Sequence, residues 1–178
     1  GDKATLLVNP HGSGVLLERF TPPEEIEELD SLPVLRVETT DLMDCEQIAH
    51  GTYTPIAGFM DGEALDSVLH GHCLPDGTVW TLPILLQVPA PEARRHGAGD
   101  RVVLADDKGT CYAVLDVTQS FSFDIDVVAR EWFGTERSDH PGVARLRQGG
   151  SHCLAGPITL LRELPSPFRR YQLTPKQT

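Results

Sequence analysis

Sixteen glycines and fourteen prolines are spread along the 178 residues and cut the chain into short segments. Punctuation this dense imposes turns and brief elements, which excludes a helical bundle. The periodicities between the breaks agree. Leu35 and Val37 alternate with Arg36 and Glu38 in a half-buried strand. Trp80, Leu82, Ile84, Leu86 and Val88 keep strict alternation, the strongest strand signal in the chain. Pro83 falls inside it and requires an edge strand or a bulge. Arg101–Leu104 and Thr110–Val117 flank Asp106-Asp107-Lys108-Gly109, a hairpin with suitable turn residues. Cys153–Leu161 is a last strand, interrupted by Gly156-Pro157.

Short helices lie between the strands. Residues 5–20 read as an extended arm with a turn, and Thr21-Pro22-Pro23-Glu24 starts a helix to about Leu29 whose glutamates form a solvated face. Thr40 caps a helix from Asp41 to His50 that buries Leu42, Cys45 and Ala49. Asp61 caps another, with Leu65, Val68 and Leu69 on one side. Pro89–Asp100 reads as a loop with Arg94, Arg95 and His96 exposed. Ile125, Val128, Ala129 and Trp132 recur at i, i+3, i+4 and i+7, an amphipathic helix leading into Phe133. Gly134 stops it, and Pro141 opens the next helix, which Gly149-Gly150 ends. Asp139 or His140 is a capping group in the polar corner between them. The resulting fold class is α+β and β-rich: a small, mostly antiparallel barrel or curled sheet decorated by short helices.

A net charge of −11 repels phosphate backbones, so broad binding of nucleic acid is disfavoured. Four cysteines without a CxxC pair fit reduced thiols in a cytoplasmic protein. No apolar run approaches the roughly 20 residues that span a bilayer. Walker, HExxH and Gly-x-Ser-x-Gly motifs are absent. His70-Gly71-His72-Cys73 is the one local concentration of metal-ligand types, and no second ligand pair completes it. From the residues, no catalytic, cofactor-binding or metal-binding residue is assigned.

The wording of several segments resembles the ATP sulfurylases (sulfate adenylyltransferases). Thr54-Pro55-Ile56-Ala57-Gly58-Phe59-Met60 is similar to their Ser-Pro-Leu-x-Gly-Phe-Met stretch. Phe133-Gly134-Thr135 with His140-Pro141-Gly142-Val143 resembles their Phe-Gly-Thr and His-Pro-Gly-Val pieces. Pro10-His11-Gly12, Gly77-Thr78-Val79-Trp80 with Pro83-Ile84, Gly156-Pro157-Ile158 and Leu173-Thr174-Pro175 match in the same order. The resemblance covers nearly the whole chain.

It extends only to the N-terminal part of that family, a PUA-like β-barrel domain. It implies that residues 1–164 are this domain and 165–178 a linker toward a catalytic nucleotidyltransferase domain. That domain carries a Gln-x-Arg-Asn-Pro-x-His-x-x-His motif, absent here, so MgATP belongs to the parent enzyme's other half. The implied role is to pack against and support that domain, with a homo-oligomer possible and Phe59, Met60, Phe133 and His140 as candidates for the interdomain face. Two alternatives stay open: a stand-alone PUA-like module binding RNA or a protein, and a small enzyme using the His70–Cys73 segment.

Overall fold

The computed structural model describes residues 20–23 and 29–165. The expected arm before Phe20, the central residues 24–28 of the first helix and the linker beyond Pro165 lie outside the described residues. In chain order the elements are β1 (Val34–Arg36), α1 (Thr39–Ala49), β2 (Gly58–Phe59), α2 (Gly62–Gly71), β3 (Leu86–Val88) and α3 (Ala90–Arg95). They continue with β4 (Arg101–Ala105), β5 (Cys111–Asp116), β6 (Gln119–Ser122), α4 (Ile125–Phe133), α5 (Pro141–Gly149) and β7 (His152–Leu160).

Two compact units divide the chain. The first draws on Gly1–Gly58, Arg101–Asp116 and Pro157–Thr178. Its centre is the hairpin of β4 and β5, paired antiparallel from Arg101↔Asp116 to Leu104↔Ala113. The turn closes because Asp106 Oδ1 accepts the N–H groups of Lys108 and Thr110, and Gly109 takes φ 88°. β1 joins β4 in parallel, and β5 pairs antiparallel with the second half of β7. Val103, Val114 and Leu161 form the core of this sheet region, and α1 packs on β5. The parallel β1–β4 pair makes the sheet mixed, while β4–β5, β5–β7, β3–β7 and β6–β7 follow the mostly antiparallel expectation.

The second unit draws on Phe59–Asp100 and Val117–Gly156. The first half of β7 is its middle strand. Leu154 pairs with Leu86 of β3 on one side and Ser120 of β6 on the other. Leu65 and Leu69 of α2, Val128 and Ala129 of α4, and Val143 and Leu146 of α5 form one core. Asp61 caps α2 by accepting the Ala64 N–H, and Asp124 caps α4 by accepting those of Asp126 and Val127.

Four local expectations are corrected. The cap of α1 is Glu38, not Thr40: Glu38 and Asp41 exchange side-chain and backbone bonds in a capping box. Residues 90–95 form a helix, not a loop, since Pro91 suits a first turn and Glu92 pairs with Arg95. His96, expected at the surface, is buried with its Nε2 3.4 Å from Glu92. The alternating run from Trp80 yields a strand only at Leu86–Val88. Pro83 has no N–H to give a ladder, and the Trp80 indole N–H turns back onto the Leu82 carbonyl at 2.6 Å.

Candidate functional site

The polar corner between α4 and α5 is assembled from local chemistry. Gly134 ends α4 in the left-handed region at φ 76°, donating to the Arg130 carbonyl. His140 is the N-cap of α5: its Nδ1 accepts the Gly142 N–H at 3.0 Å, so the neutral ring carries its proton on Nε2. Pro141 occupies the first turn, and Val143 is fully buried. Phe133 stacks on Trp132 at 4.6 Å between centroids and meets the His140 ring at 5.0 Å. A Cβ on Gly142 would stand 2.6 Å from the Phe133 ring, so a larger residue there has to displace that ring. The Phe-Gly…His-Pro-Gly-Val wording is therefore a description of how two helices are joined.

Charges around the corner are paired. Arg130 bonds Glu136, which pushes the guanidinium pKa further up, and Arg137 bonds Asp139 at 3.0 Å. Arg147 reaches Asp126 and the Glu136 carbonyl, both at 2.7 Å. These cations are already engaged with carboxylates, so an anionic ligand would have to compete for them.

Of the four residues suggested for an interdomain face, Phe133 and His140 meet here and are half-buried. Phe59 and Met60 are only 4% exposed each; the Met60 N–H donates to the Ile84 carbonyl. The His70–Cys73 segment ends α2: His72 takes φ 55° and His70 Nδ1 lies 3.1 Å from the Asp66 carbonyl. No metal-ligand cluster forms around it among the described residues.

The first unit holds a second polar cluster, which sequence reasoning missed. Glu46 lies in α1, His50 four residues on is its C-cap, and Glu163 follows β7. One ligand atom from each lies within 4.8 Å of the other two. The available signal was the Glu-x-x-x-His spacing on a helix; the third member is too distant in sequence for any motif.

With this geometry in place, likeness to known proteins is informative. The model of the PUA-like domain family matches residues 8–163. This chain belongs to the PUA-like domain family. The α+β fold expected from the sequence resemblance is the fold observed. Over this PUA-like domain the chain is similar to sulfate adenylyltransferases. It is 38% identical over 176 residues to that of Synechococcus sp. (strain JA-3-3Ab), covering 96% of this chain and 44% of the relative. It is 36% identical over 177 residues to that of Pyrococcus abyssi (strain GE5 / Orsay), covering 97% and 45%. The chain thus spans less than half the length of these curated relatives. A solved hexameric APS kinase from Thiobacillus denitrificans aligns with TM-score 0.68 at 24% identity, over 96% of this chain and 30% of that one. That likeness concerns the fold alone. No helix among the described residues is long and apolar enough to cross a membrane.

Proposed function

We propose that this PUA-like domain is the N-terminal, non-catalytic part of a sulfate adenylyltransferase. The parent reaction joins sulfate to the adenylyl group of MgATP, giving adenosine 5′-phosphosulfate and pyrophosphate in sulfate assimilation or sulfur metabolism. The observation that carries the reading is the 38% identity across nearly the whole chain with a sulfate adenylyltransferase more than twice its length. Chemistry on polyphosphate needs free cations and oriented N–H groups. A chain of net charge −11 whose corner arginines already hold carboxylates is poorly equipped for it. Its task is to pack against the catalytic domain of the same polypeptide in the cytoplasm and to help build a homo-oligomer. Phe133 and His140, half-buried, offer surface for that packing, whereas Phe59 and Met60 are buried within the domain.

The test is sulfate-dependent release of pyrophosphate from MgATP by the natural polypeptide and by residues 1–178 alone. Turnover is expected only from the former. Turnover by residues 1–178, or a natural polypeptide that ends at Thr178, overturns the reading.

A further inference from the structure

The cluster of Glu46, His50 and Glu163 has the composition and spacing of a metal-ligand set. His50 Nε2 stands 2.8 Å from Glu163 Oε1. Glu46 is only 3% exposed, and its Oε2 accepts the Leu164 N–H at 2.8 Å. A backbone N–H on a ligating carboxylate is how metal sites commonly fix a ligand's orientation. His50 and Glu163 also line a cleft of about 440 Å³, together with Arg162 and the apolar Phe20, Leu160 and Leu161. Access is thus open on the side away from buried Glu46.

We infer that Glu46, His50 and Glu163 bind one first-row divalent cation, with Zn²⁺ the best match, leaving a coordination position toward the cleft. Carboxylate oxygen and imidazole nitrogen both bind Zn²⁺ at about 2.0–2.2 Å, which puts tetrahedral ligand atoms about 3.4 Å apart. The observed spread of no more than 4.8 Å reaches that by rotation of the two exposed side chains, His50 and Glu163. Two carboxylates beside one neutral imidazole attract a dication, and the guanidinium of Arg162 on the cleft wall offsets part of that attraction. The ion fastens α1 to the segment after β7, groups 118 residues apart where Leu164 meets Glu46. Its role is structural, tying down the chain as it leaves the sheet.

The probe is Zn²⁺ itself, titrated into the 178-residue chain after chelator treatment, with Co²⁺ as spectroscopic reporter. One equivalent should bind, raise the melting temperature and give the visible bands of low-coordinate Co²⁺. His50→Ala and Glu163→Gln, both at exposed side chains, should weaken binding at least tenfold while the far-ultraviolet dichroism stays unchanged. Glu46→Gln keeps the acceptor for Leu164 and should weaken binding likewise. His72→Ala should bind as the parent does. A rival account puts a protonated His50 between the carboxylates with no metal. No binding at submillimolar Zn²⁺, equal binding by His50→Ala, or loss of binding in His72→Ala each overturns the metal site.

Discussion

Two stretches of this PUA-like domain read as strands and fold differently: residues 101–116 hold continuous apolar runs on either side of a turn, and residues 80–88 alternate strictly. Residues 101–116 become a hairpin in which Val102, Val103, Leu104, Ala113 and Leu115 are completely buried. Residues 80–88 become three residues of strand preceded by irregular chain, with Leu82 42% exposed. The difference lies in the backbone. In the hairpin, a turn fixed by Asp106 and Gly109 brings each strand its partner within a few residues. In the other stretch Pro83 cannot donate, and a continuous ladder begins only where Leu86, Gln87 and Val88 meet Leu154, Cys153 and His152. Alternation prescribes which side chains share a face; a strand also needs every N–H and C=O satisfied.

The widest contrast should come from truncating one leucine in each stretch. Leu115→Ala in β5 is expected to cost about 2–5 kcal/mol in urea unfolding, because it opens a cavity in a closed core. Leu82→Ala should stay within about 0.5 kcal/mol, as an exposed substitution does. Equal losses would break the comparison.

The hairpin turn offers the next largest effect. Gly109→Ala forces a Cβ into the left-handed region and should destabilise by roughly 1–2 kcal/mol. The space around it is open, so the loss would be conformational and not steric. A neutral result would mean that the turn is not what organises β4 and β5.

A smaller change would sharpen the account of the irregular stretch. Trp80→Phe keeps an aromatic ring but deletes the indole bond to the Leu82 carbonyl, at a cost of about 0.5–1.5 kcal/mol. Faster amide exchange around Leu82, with no change in β4, would place that bond as a local brace.

Thiol chemistry reads the same contrast without destabilising anything. Burial, then the charge of Asp44, pushes the Cys45 thiol well above the ordinary thiol range, in the unit built on the hairpin. Cys73 pairs with Val79 in an isolated bridge beside the irregular stretch and is partly exposed. At pH 8 a thiol reagent should modify Cys73 quickly and Cys45 only on unfolding. Because the folded pKa of Cys45 is raised, its burial favours folding below the usual thiol pKa. That contribution fades as pH rises above it. Rapid labelling of native Cys45 would contradict its burial.

Several local readings succeeded where the partners of a group lie a few residues away, although the Glu38–Asp41 box and the 90–95 helix escaped them. Asp61 caps as its position suggests, and Gly134, His140 and Pro141 join α4 to α5 through contacts within one corner. The helix over 90–95 was hidden by its prolines, although a first turn needs no N–H from Pro91. The burial of His96 was hidden too, because its environment comes from elsewhere in the fold.

By itself, then, the sequence determined most of the short elements, the caps of α2 and α5, the hairpin and the resemblance to a family, since these rest on neighbours along the chain. The tertiary structure alone decided that β1 lies parallel to β4, that the run from Trp80 forms a continuous ladder only at its end, and that Glu163 meets Glu46 and His50. Those outcomes depend on which distant backbone arrives to satisfy each polar group. No periodicity encodes that arrival, because it is fixed only when the whole chain has packed.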